Sequence, residues 1–248
     1  MNEQPIKIAI LDSVPKFHWR DDNGVTDGQK FVDLLAPENV NAKFDIFYVS
    51  EYEFPDIIES YDGYLLTGSP VSVHDNHDWI KMLSEFVGQA DNKNKPIVGV
   101  CFGHQLIAKY YGGVVGNNEK GWMIGSFPLE IKKKFPWMKN TLDTTDLYHF
   151  NKERVTKLPE GAISFASTKD YPDFAYTLGN NIACLQGHPE QPKRAMYNFL
   201  EVTKKVLTEQ ELEKAKQRIE NGKSDSSVWA KWIMEFFVLS FLDSELRL

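Results

Sequence analysis

The stretch PIVGVCFGHQLIAKYYGG, residues 96–113, decides how the chain folds. An apolar run reaches a cysteine set between Gly99 and Gly103 and passes at once into a helix-forming segment. A strand that turns sharply into a helix strains the turn residue and lifts its side chain above the sheet, over the helix N-terminus. Flanking glycines let neighbouring elements close in. Gly99-Val100-Cys101-Phe102-Gly103 has this G-x-nucleophile-x-G form, with Cys where many hydrolases carry Ser. The positive end of the helix favours a thiolate at Cys101, and the Phe102 N–H faces the place where an oxyanion forms. A short match of this kind also fits a buried, inert cysteine at a strand end.

A thiol nucleophile works with a base, and a third group orients that base. The segment LQGHPE, residues 185–190, offers both partners. Pro189 disfavours α geometry at His188, and residues i and i+2 of an extended segment face the same way. His188 and Glu190 therefore share a side, leaving one imidazole nitrogen for the carboxylate and one for the thiol. The alternative is a polar turn that merely ends a strand.

The whole chain sets the frame. Its 248 residues, 42% hydrophobic, suffice for one well-buried core. A net charge of −7 with no basic block argues against a nucleic-acid partner. No window reaches the roughly 20 apolar residues of a membrane span, so no membrane partner is expected. The start, MNEQPIKIAILDSVP, reads as a first core strand and not as a signal peptide. Cys101 and Cys184 give neither a disulfide framework nor metal-ligand spacing, so no metal site is expected and a reducing, cytoplasmic setting is favoured.

Apolar runs at 6–12, 42–50, 61–70 and 96–101 alternate with helical periodicity at 28–37 and 77–92, the pattern of a parallel sheet flanked by helices. Trp79, Met82, Leu83, Phe86 and Val87 are expected on one helical face. GWMIGSFPLEI alternates Phe127, Leu129 and Ile131 with Ser126, Pro128 and Glu130, as a half-exposed strand does. Several short strands follow through residue 185. The chain then turns helical, with a Thr208/Glu211 capping box, a stop at Gly222 and a last helix rich in Trp229, Trp232, Phe236 and Phe237. That aromatic stripe fits packing on its own domain or a partner surface. The expectation is an α/β domain over 1–205, a mixed, mostly parallel sheet with helices on both faces and β-hairpin additions. A helical C-terminal extension, 206–248, packs on it.

Together, GVCFGHQLIAKYYGG, LQGHPE and LLTGSPVSVHD (65–75), supported by EKGWMIG and LPEGAISFAST, resemble the class I glutamine amidotransferases. The likeness covers residues 5 to 200. It is to the small stand-alone group similar to the amidotransferase part of GMP synthase and to γ-glutamyl peptidase-type members. The resemblance implies a flavodoxin-like open sheet and a Cys101-His188-Glu190 triad. It implies an oxyanion hole at Phe102, Gly68 and Ser69, and substrate contacts at Gln105, Ser72 and Asp75. It implies no cofactor. His104 is expected to be a packing or surface residue. Some members carry H-x-D-x-V before the LP motif, where this chain has Asn151-Lys152-Glu153-Arg154-Val155, so its specificity is expected to differ if those positions touch substrate or partner. The loop 13–28, with His18, Trp19, Arg20, Asp21 and Asp22, is read either as an overhang at the active-site edge, Arg20 meeting a substrate carboxylate, or as a solvent-exposed loop.

No Gly-rich phosphate loop follows residue 200, so no synthetase domain is expected there. Three functions remain open: hydrolysis of glutamine, with ammonia passed to a synthetase partner in trans; hydrolysis of γ-glutamyl amides or peptides; or a non-catalytic regulatory or binding module. The intact Cys101, His188 and Glu190 speak against the last.

Overall fold

Residues 8–11 alternate between the two faces of one strand, and every side chain among them is buried. That burial on both faces makes their strand a central one. The computed structural model describes residues 5–18, 24–39, 41–140 and 142–245. Strands β1 (Lys7–Asp12), β2 (Lys43–Tyr48), β3 (Gly63–Leu66) and β4 (Ile97–Val100) pair in parallel. Later in the chain come β5 (Val114–Asn117), β6 (Met123–Ile131), β7 (Thr144–Asn151), β8 (Glu153–Lys157), β9 (Ile163–Ser167), β10 (Ala175–Leu178) and β11 (Ile182–Leu185). β11 joins β4 in parallel. The remaining neighbours are antiparallel, giving a nine-stranded sheet of order β2-β1-β3-β4-β11-β10-β9-β6-β7 and a separate β5-β8 pair.

Helices α1 (Asp27–Leu35), α2 (Asp78–Asn92), α3 (Phe102–Tyr110), α4 (Lys193–Thr203), α5 (Glu209–Asn221) and α6 (Ser226–Glu245) cover the sheet. Ile8, Ile10, Leu65, Val98 and Val100 pack with Phe31 of α1 and the aromatic residues of α6. Ala9, Leu11, Tyr64, Leu66 and Ile97 pack on the other face with α2 and α3. α4 and α5 close over β6 and β7 through Ile124, Tyr148, Met196, Leu200 and Ile219.

The aromatic stripe of α6 lies on the sheet of its own chain. Trp229, Trp232, Phe236 and Phe237 are buried, and both indole N–H groups find acceptors, the Thr145 hydroxyl and the Lys139 carbonyl, each at 3.1 Å. Each such apolar side chain contributes roughly 1.5–3 kcal/mol on burial. Gly63 is required beneath it, because a Cβ there would stand 2.5 Å from the Phe237 ring. The capping box of α5 is formed, with Thr208 accepting from the Glu211 N–H and Glu211 from the Thr208 N–H.

Two details differ from the sequence reading. Met82 is 42% exposed, and Ile80 is buried in its place. At 3.6 residues per turn the stripe of α2 centres on Leu83, with Met82 about 100° away and Ile80 only about 60°. Ser126 is buried too, its hydroxyl donating to the Lys223 carbonyl at 2.6 Å, so alternation in β6 resumes only from Pro128. Among the described residues, no helix is long and apolar enough to cross a membrane. Residues 19–22, with the Arg20 reading, and the His18 side chain lie outside the described part.

Parallel strands send their C-terminal ends to one edge. The segments leaving β1, β3, β4 and β11, namely residues 13, 67–69, 101 and 186–190, therefore converge there, where open α/β sheets place ligands.

Candidate active site

Cys101 leaves β4 at φ 51°, ψ −101° and caps α3. A non-glycine residue in that region costs roughly 1–3 kcal/mol and persists only where its surroundings over-determine it. They do so here: the Cys101 N–H donates to the Leu185 carbonyl at 2.9 Å, its carbonyl accepts from the Gln105 N–H at 3.0 Å, and the Gly103 N–H reaches the Thr67 carbonyl at 3.2 Å. The flanking glycines are demanded by crowding. A Cβ on Gly99 would stand 2.7 Å from Ile107 and 2.9 Å from the Gly103 backbone, and one on Gly103 would stand 2.6 Å from Leu66. The second cysteine sits differently. Cys184 is sealed in the core, and burial pushes its thiol up to about 12, which leaves it protonated and inert.

His188 is fixed to β7 by an isolated bridge, its N–H donating to the Tyr148 carbonyl at 2.8 Å. Its Nδ1 lies 2.8 Å from Glu190 Oε1. Its Nε2 is buried and has no hydrogen-bond partner among the described residues, as does Glu190 Oε2. Burial acts against a charged imidazole at His188. The charge of Glu190, and after it the interaction with Cys101, outweigh it and raise His188 well above 6.5. A Cβ placed on Gly68 would lie 3.0 Å from His188 Cε1 and 3.5 Å from Cys101 Cβ. Thiol side, imidazole and the turn after β3 thus come within one methyl group of each other. Ser69 anchors that turn, its hydroxyl donating to the Ser13 carbonyl at 2.7 Å.

A polar wall begins one helical turn past Cys101, at Gln105. Gln105 is buried, and its amide donates to Gln186 Oε1 at 3.0 Å and to the Glu153 carbonyl at 2.9 Å. Asn151 donates to the Tyr171 hydroxyl at 2.7 Å and to the same Glu153 carbonyl at 3.1 Å. The Ser72 hydroxyl donates to the Glu153 carboxylate at 2.7 Å, tying the loop after β3 to the start of β8. Asp75 is exposed and its carboxylate accepts the Ser72 N–H, so its side chain fixes a turn. His104 is buried against Tyr176, and burial drops its pKa to about 3. His149, wedged between Phe127 and Phe174, is likewise lowered to about 3, by burial and then by the charge of His188.

Behind Glu190, Gln191 donates to Asp27 at 2.9 Å and accepts from Lys30 at 3.3 Å, which lashes the first turn of α1 to the end of the His188 segment. Among the described residues, no group of three or more His, Cys, Asp or Glu side chains could hold a metal ion. Tyr171, Gln186 and Arg154 are additions to the residues picked from sequence. Gln186 carried a signal, standing two positions before His188 on an extended segment and so on its face. Tyr171 carried none. A strained thiol, an imidazole whose pKa is raised and a carboxylate behind it can perform covalent catalysis at a carbonyl carbon, with proton transfer to the leaving group.

The model of the family Glutamine amidotransferase class-I matches residues 29–203. Gamma-glutamyl peptidase 3 of Arabidopsis thaliana is 30% identical over 83% of this chain and 86% of its own length. GMP synthase [glutamine-hydrolyzing] of Wolbachia pipientis wMel is 27% identical over 81% of this chain but 42% of its own length. A solved glutamine amidotransferase from Thermotoga maritima superposes with a TM-score of 0.72 at 18% identity, over 96% of this chain and 98% of that one.

Proposed function

We propose, since the chain belongs to the class I glutamine amidotransferase family, that it hydrolyses a γ-glutamyl C–N bond through a thioester on Cys101. The observation that carries this is the meeting of the Cys101 elbow, the Gly68 turn and the His188–Glu190 pair. Cys101 Sγ attacks the γ-carbonyl carbon, and the carbonyl oxygen takes up the negative charge between the N–H groups of Phe102, Gly68 and Ser69. The protonated His188 gives its proton to the departing nitrogen as the C–N bond breaks. Water then enters, His188 takes one of its protons, and the hydroxide attacks the thioester. Glutamate leaves and the thiolate returns. Glu190 holds the imidazole in orientation and keeps its charge. Gln105 and Ser72 act from the polar wall as substrate contacts.

Glutamine is the simplest substrate, ammonia its first product, and a separate synthetase the acceptor in trans. A second reading makes the leaving group an amino acid or peptide. The near full-length match to a protein named gamma-glutamyl peptidase favours it, since the synthase match spans under half of that enzyme. A reducing cytoplasm suits a catalytic thiol. The test compares ammonia and glutamate release from glutamine with amine release from γ-glutamyl peptides, the Cys101→Ala protein serving as blank. Turnover that depends on Cys101 supports the proposal, and its ratio between the two substrate sets chooses the reading. Equal rates in wild type and Cys101→Ala would contradict both.

A further inference from the structure

Several buried polar atoms in the wall built around Gln105, one helical turn past Cys101, have no hydrogen-bond partner among the described residues: Arg154 Nε, Gln186 Nε2 and Asn151 Oδ1. Buried polar groups are rarely left this way, and a cluster of them at a site marks where a ligand completes the bonding. They belong to one wall. Asn151 and Gln105 share the Glu153 carbonyl as acceptor, Gln105 also holds Gln186, and Asn151 holds the Tyr171 hydroxyl.

Arg154 is the charged member. Its guanidinium lies over the Tyr171 ring, 5.1 Å from the centroid, and its one hydrogen bond among the described residues runs from Nη1 to the Val155 carbonyl at a long 3.5 Å. Among the described residues it forms no salt bridge. The backbone explains its direction: in β8 the next residue, Val155, faces the core, so Arg154 takes the opposite side, toward Tyr171. Tyr171 is itself buried, and it feels the charges of both Arg154 and Cys101. A planar cation held on an aromatic face, with Nε unbonded, matches the two-pronged geometry by which Arg takes a carboxylate.

We propose that Arg154, seated on Tyr171, anchors a carboxylate of the substrate, with Gln186 Nε2 as a second donor and Asn151 Oδ1 as acceptor for a neighbouring ammonium. The inference rests on the γ-glutamyl reading above. Two carboxylates fit the chemistry: the α-carboxylate common to glutamine and every γ-glutamyl compound, or the terminal carboxylate of a leaving amino acid. Lys at 154 would keep the charge but lose the stacked fork.

Binding is measured by calorimetry in the non-turning Cys101→Ala background, with and without Arg154→Ala or Arg154→Lys, and thermal melting checks the fold of each. The ligands are L-glutamine, γ-glutamylglycine, and 4-aminobutanamide, which is glutamine without its carboxylate. Loss of one hydrogen bond to a charged group weakens binding about 10- to 100-fold. Arg154→Ala is expected to weaken both carboxylate ligands by that factor if the α-carboxylate is held, or γ-glutamylglycine alone if the leaving-group carboxylate is. 4-Aminobutanamide is expected to change less than about threefold, and Arg154→Lys to recover part of the loss. Equal weakening of all three ligands, no weakening of either carboxylate ligand, or no binding of either in the Cys101→Ala background would overturn the proposal. Failure of the hydrolase reading shows separately, as absence of turnover in the wild type while these affinities persist.

Discussion

Adding one methyl group at Gly68 separates catalysis from stability. The Cβ of Gly68→Ala would sit 3.0 Å from His188 Cε1, inside the 3.4–4 Å of ordinary contact, and 3.5 Å from Cys101 Cβ, within it. No backbone atom stands in its way, so the imidazole must yield by a few tenths of an ångström while the turn keeps its path. A misplacement of about 1 Å costs about 100-fold in rate, and losing one oxyanion donor costs a comparable amount. The variant is therefore expected to lose about 10- to 100-fold in kcat, with a melting temperature within about 2 °C of wild type. Gly99→Ala is the contrast. Its Cβ meets the Gly103 backbone at 2.9 Å, so it is expected to destabilise the fold by about 1–3 kcal/mol. Glutamate release and thermal melting, run on both variants, check this. A Gly68→Ala enzyme within about threefold of wild type, or one whose lost activity matches lost structure, would refute the reasoning.

Three further outcomes follow from the same geometry. In the proposed mechanism His188 is protonated to release the leaving group, so activity is expected to fall as pH rises through its pKa; Glu190→Gln removes the charge that raises it, and the alkaline limb of the pH–rate profile is expected to move to lower pH, an unmoved limb counting against the pair. Asp12 is raised from 3.8 to about 6, by burial first and then by Asp27. Its contribution to stability is complete below 3.8 and lost as pH rises through about 6, so the urea-unfolding free energy of wild type relative to Asp12→Asn should fall by about 2 kcal/mol between pH 4.5 and 7, a flat difference contradicting it. Finally, Cys101→Gly relieves the positive φ that Cys101→Ala retains, and it is expected to be more stable than the alanine variant by about 1 kcal/mol in denaturant melts; an equally or more stable alanine would show that the turn is not strained.

The central sheet was legible because β1, β3, β4 and β11 are buried on both faces, which writes them as apolar runs between helical segments. The same burial on α6 made its aromatic stripe visible, although only the structure shows the sheet it covers. Strand order past β4 depends on pairings far apart in sequence, such as β6 with β9, which no local pattern encodes. β7 was not read as a strand: TTDLYHFN mixes polar and apolar residues because its Asp146 and Asn151 bond to other segments. Cys101, His188 and Glu190 were legible for a local reason, since glycine crowding, a proline and an i, i+2 spacing each leave a short signature. The polar wall was only partly so. Asn151 and Glu153 stood out as a departure from a pattern, but their meeting with Tyr171 and Ser72, and the seating of Arg154 on Tyr171, exist only in three dimensions.

The proposed hydrolysis passes through a γ-glutamyl thioester on Cys101. Acid-quenching the protein during turnover of glutamine or a γ-glutamyl peptide, followed by mass spectrometry of the digest, reads it directly. One glutamyl group is expected on the peptide carrying Cys101, more of it in His188→Ala than in wild type if water attack is slowed more than acylation, and none in Cys101→Ala. A glutamyl group on any other residue, or product formed without one at Cys101 in either protein, would contradict it.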